Sequence, residues 1–267
     1  MAAKKKAKKA QRKTARKKLT ASAKMQTAAK KSAARAARGA PIRKSTSGRA
    51  PKAAAKKKSG PIVLNGLHLS LPSCKVGLAL TMMGVPFEYR HIDLSSGAGR
   101  APEYLAKNRW GQVPVLEHDD MNIAQSNVIL QYLADTFGQF AGRTPQERLR
   151  VAEWLMWDQD MMHSGVGWPR AFARFFPQHE EVVKYARARG ERALGTLERH
   201  LGTSKFLVGN QPTVADIAVF AWVATAEEGG FDLTRWPNVQ AWADRMLALP
   251  RAAHPYTVMP KESQTAA

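Results

Sequence analysis

Beyond residue 60 the apolar positions fall into short runs whose period changes along the chain. Residues 62–69 (IVLNGLHL) read as a strand, and 70–73 as a turn. Residues 74–84 read as a helix with Val76, Leu80 and Met83 on one face, which Gly84-Val85-Pro86 brings to a stop. Residues 87–94 (FEYRHIDL) give a second strand, and the longer connection over 95–112 holds a short helix at 103–107. Residues 113–117 and 121–124 pair as a hairpin about His118-Asp119-Asp120, and 126–137 forms a helix burying Ile129, Leu133 and Phe137. The order over residues 61–140 is β-α-β-α-β-β-α.

From Thr144 the pattern is wholly helical, with helices expected over residues 146–162, 180–201, 214–226 and 239–249. An α/β unit followed by an all-helical one predicts two packed domains, 61–140 and 145–257. The apolar run at 217–226 is too short to span a bilayer and reads as a core helix.

Composition adds a third region. Of 42 Lys and Arg, 22 lie in residues 1–59, which hold no Asp or Glu; residues 60–267 carry 20 basic and 21 acidic side chains. The formal charge of +21 therefore belongs to the tail, residues 1–60. Almost without large apolar residues and with like charges repelling, the tail is expected to be disordered. Neutralising phosphates releases counterions, so the tail is expected to bind polyanions, nucleic acid included, without sequence readout, because no aromatic residue is interleaved for stacking. Its Lys/Ala-rich composition resembles histone-like tails. A mitochondrial transit peptide competes, but lysine outnumbers arginine and an amphipathic face is lacking. The single cysteine, Cys74, excludes an intramolecular disulfide and a cysteine zinc cluster, in keeping with a reducing compartment. A cytoplasmic setting is expected, with nucleoid or nuclear association through the tail. The seven histidines show no metal-ligand spacing, so no metal is expected, and no CxxC, Walker or GxGxxG pattern occurs.

Four separated segments, LSLPSCKVGLALTMMGVPFEYRHIDL, NRWGQVPVLEHDD, IAQSNVILQYLADTF and FLVGNQPTVADIAVFAW, occur in the order and spacing of one family. Together they make residues 61–257 resemble the cytosolic glutathione transferase superfamily, in its serine-type classes. The resemblance implies a thioredoxin-like N-terminal domain that binds glutathione as co-substrate, an all-helical C-terminal domain that shapes the second substrate's pocket, and a homodimer.

The resemblance also assigns candidate residues. Ser70 matches the catalytic serine: a hydroxyl aimed at the glutathione sulfur favours the thiolate of a thiol that is otherwise mostly protonated. Ser73 and Cys74 compete for that place, and Ser70 also reads as an ordinary turn serine. Val113-Pro114 matches a cis-proline turn whose Val113 N–H and C=O pair with the cysteinyl backbone of the tripeptide; Pro114 also reads as an edge-strand proline. Gln112 matches the position that reaches the glycyl end. Ser126, at a helix N-terminus suited to an anion, would hold the γ-glutamyl carboxylate, and Gln125 the neighbouring ammonium; Ser126 also reads as a plain N-cap. Thr213 to Asp216 reads as a capping box with a folding role. Met161, Met162, Trp168, Phe172 and Phe175 fall where the hydrophobic electrophile's pocket lies in the family, and equally suit core packing. A non-catalytic binding module on the same fold is the alternative function.

Overall fold

The computed structural model describes residues 60–176 and 179–263. Residues 1–59, and with them the expectations for the basic tail, lie outside the described residues. Strands β1 (Val63–Gly66), β2 (Glu88–His91), β3 (Val115–His118) and β4 (Met121–Ala124) form one sheet in the order β2-β1-β3-β4. β1 is parallel to β2, with Leu64 opposite Tyr89, and antiparallel to β3, with Leu64 opposite Leu116; β4 pairs antiparallel with β3. Helices α1 (Leu71–Met83), α2 (Pro102–Lys107) and α3 (Ser126–Phe137) complete the thioredoxin-like unit. The helical part comprises α4 (Pro145–Trp157), α5 (Trp168–Phe175), α6 (Glu180–Leu201), α7 (Val214–Val223) and α8 (Pro237–Leu247). None of the described helices is long and apolar enough to cross a membrane.

Two boundaries differ from the pattern-based expectation, and both matter for the site. Helix α1 begins at Leu71 rather than Cys74, with Ser70 as the extended N-cap residue. Pro72 falls in the first turn, where its missing N–H has no intrahelical partner to lose, so the expected turn at 70–73 is the helix start itself. The first long helix does not end near residue 162 in a loop. It runs on through Asp158–Gly167, ten residues of wide i→i+5 turns, directly into α5. Gly165 and Gly167 permit close approach there. A Cβ on Gly165 would lie 2.7 Å from the Gly190 nitrogen, so α6 rests backbone-to-backbone on the wide turns.

α7 starts from the expected box. Asp216 Oδ2 accepts from the Thr213 N–H (2.9 Å) and Oγ1 (3.1 Å), while Oδ1 accepts from the Leu207 N–H (2.8 Å) and Trp242 Nε1 (3.1 Å). Every helical residue of α7 is buried, so this carboxylate ties the central helix to the 206–208 loop and to α8.

α1 packs against α3 on one side and α7 on the other, and carries one charge into that interior. Lys75 and Asp158 are both fully buried, with Nζ to Oδ2 at 2.8 Å. Asn127 Nδ2 donates to the same Oδ2 (2.9 Å) and to the Leu155 carbonyl (2.6 Å), and Trp222 Nε1 donates to Oδ1 (2.7 Å). The Lys75 ammonium also lies 5.4 Å from the Trp222 ring centroid. Residues of α1, α3, the wide turns and α7 thus meet on one carboxylate. Removing one partner strands a buried charge, which costs about 3–5 kcal/mol. Lys75→Met should lower unfolding stability by about that amount in urea titration; a loss below about 1 kcal/mol would show that the pair is not the link between the two parts.

Candidate active site

Where α1, the β3 entry, α3 and the wide turns converge, a cleft of about 250 Å³ opens. It is lined by Ser70 and Pro72, by Asn108 and Gly111 to Pro114, by Gln125 and Ser126, by Leu94, and by Gln159 and His163. Backbone geometry fixes each wall. Ser70 closes a tight turn, its N–H donating to the Leu67 carbonyl and its own carbonyl accepting from the Ser73 and Cys74 N–H groups, all at 2.8 Å. Its hydroxyl makes no cap bond and has no hydrogen-bond partner among the described residues. Nothing within the described protein competes for that hydroxyl.

The second wall is held from behind. Tyr104 Oη (2.8 Å) and Asn108 Nδ2 (2.7 Å) both donate to the Gln112 carbonyl, fixing the turn that leads into β3. Gly111, at φ +63°, lies against Gly99: a Cβ on Gly111 would stand 2.5 Å from the Gly99 oxygen, so any side chain there would push the turn away. The Val113–Pro114 peptide is cis. Among the described residues no hydrogen bond takes up the Val113 N–H or C=O, leaving both for an extended chain laid alongside.

The third wall is the start of α3. Gln125 sits at φ +71°, an unfavourable region for a residue with a Cβ, and no side chain caps the helix. Ser126 is buried at its first position. The first-turn N–H groups of a helix have no intrahelical acceptor and carry partial positive charge, so this end of the cleft suits a carboxylate. The fourth wall was not anticipated. In the wide turns Gln159 Nε2 and His163 Nδ1 are 3.3 Å apart, and burial, with Lys75 adding to it, pushes the His163 pKa below the ordinary imidazole value. Among the described residues, no Asp, Glu, Lys or Arg lines the cleft.

Of the three candidates for the thiol's partner, only Ser70 lines the cleft. Ser73 is fully buried and its Oγ accepts from the Leu67 N–H at 3.4 Å. Cys74 is fully buried with its thiol donating to the His68 carbonyl (3.2 Å), and burial pushes its pKa up to about 12. Gln112, Val113, Pro114, Gln125 and Ser126 are brought together around the one cleft. The hydrophobic candidates are not. Met162 lies in the core with no exposed surface, and the half-buried Met161 takes Arg189 Nη2 on its sulfur at 3.3 Å. Trp168 is 39% exposed, with its ring edge-on to His163 (centroids 6.4 Å) and tilted on half-buried Phe172 (6.1 Å). These two aromatic residues therefore adjoin the cleft through His163, while Phe175 is exposed further along α5.

Comparison with known proteins agrees with this geometry. Residues 67–135 match the family described as "Glutathione S-transferase, N-terminal domain", and residues 160–250 the "Glutathione S-transferase, C-terminal domain". Human glutathione S-transferase theta-2B is 31% identical over 190 residues, 67% of this chain and 78% of that protein. The chain belongs to the glutathione S-transferase family. Glutathione S-transferase 1 of Schizosaccharomyces pombe is 31% identical over 204 residues, 66% of this chain and 86% of that protein. The crystal structure of a glutathione S-transferase from Pseudomonas fluorescens superposes with a TM-score of 0.70 at 33% identity, covering 73% of this chain and 99% of that one.

In this family member the sole cysteine should be chemically silent. A thiol with a pKa near 12 is about one part in ten thousand thiolate at about pH 8. Iodoacetamide at that pH should leave Cys74 unmodified in the native protein and alkylate it in urea, as read by intact mass. Rapid alkylation of the folded protein would contradict its burial.

Proposed function

We propose that this protein is a glutathione transferase that joins the glutathione sulfur to a small hydrophobic electrophile. The observation that carries the reading is that Ser70, its hydroxyl unpartnered among the described residues, lines the same cleft as the uncapped start of α3 and Val113. Ser126 and the first N–H groups of α3 hold the γ-glutamyl carboxylate, and Gln125 accepts from the adjacent ammonium. Val113 pairs with the cysteinyl unit as an added strand, and Gln112 reaches the glycyl end. Ser70 donates to the sulfur and so favours the thiolate, whose released proton passes to solvent. The sulfur then bonds to the electrophilic carbon while the leaving group departs with its electron pair. His163, whose pKa burial lowers, with the exposed Trp168 and the half-buried Phe172 ring gives the electrophile an apolar, aromatic surface next to the sulfur. Homodimer formation is part of the proposal: Met121, Val128, Leu149 and Met156 stand exposed on β4, α3 and α4, elements that pack in sequence.

Ser70→Ala should reduce kcat for conjugation about a hundredfold while leaving the KM for glutathione nearly unchanged. Ser126→Ala should weaken glutathione binding about tenfold or more by calorimetry, because it removes a donor to a charged group. Full turnover in Ser70→Ala would defeat the serine assignment. Absence of binding heat with folded wild-type protein would leave a non-catalytic module.

The tail's composition supports a second activity, polyanion binding, within a cytoplasmic, nucleic-acid-associated setting. Its 22 cations without a compensating acid favour counterion release. The full chain should lose affinity for duplex DNA about a thousandfold or more between about 50 and 200 mM salt. The chain lacking residues 1–59 should not bind DNA at the lower salt, and equal retention by both would overturn the assignment.

A further inference from the structure

Arg170 lies in the first turn of α5, and its side chain is only 5% exposed. Nε donates to Glu228 Oε2 at 2.9 Å, Nη2 donates to the Leu69 carbonyl at 3.3 Å, and the guanidinium carbon lies 5.1 Å from the Tyr256 ring centroid. Leu69 immediately precedes Ser70. The other hydrogen bonds of residues 67–70 stay within the β1–α1 segment: Ser70 N–H to the Leu67 carbonyl, Leu67 N–H to Ser73 Oγ, and the Cys74 thiol to the His68 carbonyl. Among the described residues, Arg170 is therefore the hydrogen-bonding hold of the helical domain on the loop that presents Ser70.

The local charge is also unbalanced. Arg174 Nη1 lies 3.6 Å from the same Glu228 oxygen, so two guanidinium groups share one carboxylate. That carboxylate is about one-third exposed, where solvent weakens its compensation of a buried cation. A net positive charge thus stands directly behind the Ser70 loop. Its field reaches into the start of α1, where it opposes the effect of burial on the Cys74 thiol.

We propose that Arg170 is a positioning residue for thiol activation: it fixes the Leu69 carbonyl so that the Ser70 hydroxyl faces the cleft, and its charge favours an anionic sulfur there. This rests on the assignment of Ser70 given above. Lysine cannot replace it fully, because one ammonium does not reproduce a fork that bonds Glu228 and Leu69 at once. The test is the ultraviolet absorbance of the thiolate of bound glutathione, followed against pH in wild type, Arg170→Met and Arg170→Lys, with kcat and KM measured alongside. Arg170→Met should raise the midpoint of thiolate formation by about one pH unit and lower kcat about tenfold, with the KM for glutathione within about twofold. Arg170→Lys should recover part of the midpoint shift. If Arg170→Met does not fold, Arg170→Lys carries the test through a lowered kcat at unchanged KM. A folded Arg170→Met with the wild-type midpoint and kcat, or variants that lose only melting temperature, would overturn the proposal. A wild-type protein that binds glutathione without any thiolate signal would instead refute the activation reading on which it stands.

Discussion

The buried ion pair between Lys75 and Asp158 is the constraint on which the rest of the molecule depends. Two opposite charges removed from water are tolerable only when their mutual attraction and further hydrogen bonds offset the desolvation cost. Here Asn127 and Trp222 complete the carboxylate's shell, so α1, α3, the wide turns and α7 share a single acceptor group. An apolar pair of similar volume could fill the same space, but it would tolerate sliding of one helix past another. Directional bonds at 2.7 to 2.9 Å do not.

That rigidity is transmitted to the cleft through chain neighbours. Asn127 follows Ser126, so fixing its amide fixes the start of α3 where an anion would sit. Asp158 precedes Gln159, and the wide turns that begin there carry Gln159 and His163 to the opposite wall. Lys75 lies five residues beyond Ser70 in the helix that Ser70 caps. Three walls of the cleft are each a residue or a short helical run away from one buried carboxylate. Arg170 adds a second tie, from α5 to the loop itself. Among the described residues the cleft is lined by no charged side chain, and there its electrostatics come from helix ends and from cations placed behind it.

Much of this was legible as pattern. Alternation and helical periodicity located the strands and the α3 and α6 helices within a few residues, and Thr213 with Asp216 announced the start of α7. Gln112 to Pro114 and Gln125-Ser126 were recognisable as candidates through the family resemblance, and they line one cleft. The choice among Ser70, Ser73 and Cys74 was not. It turns on which side of the first helical turn faces the sheet, and the helix began three residues earlier than its apolar spacing suggested. Gln159 and His163 were missed because a period close to 3.6 was assumed where the helix is wider. One signal was present: a lysine inside SCKVGLAL, among residues otherwise apolar or small, implies a buried charge and therefore a buried partner.

By itself, then, the sequence determined the element order of the first domain, the two-part architecture, the family, and the separation of a cationic segment from a nearly neutral body. The strand and helix order, the two-part architecture and the charge separation follow from local propensity, period and composition, which neighbouring residues set, whereas the family was carried by four ordered segments. Only the tertiary structure decided that Ser70 faces the cleft while Cys74 is sealed in the core, that Met162 is interior, and that Asp158 and Arg170 lock the two parts together. Such outcomes depend on which groups, dozens of residues apart, meet where water is excluded, and burial there settles both what a side chain can touch and which charge it can hold.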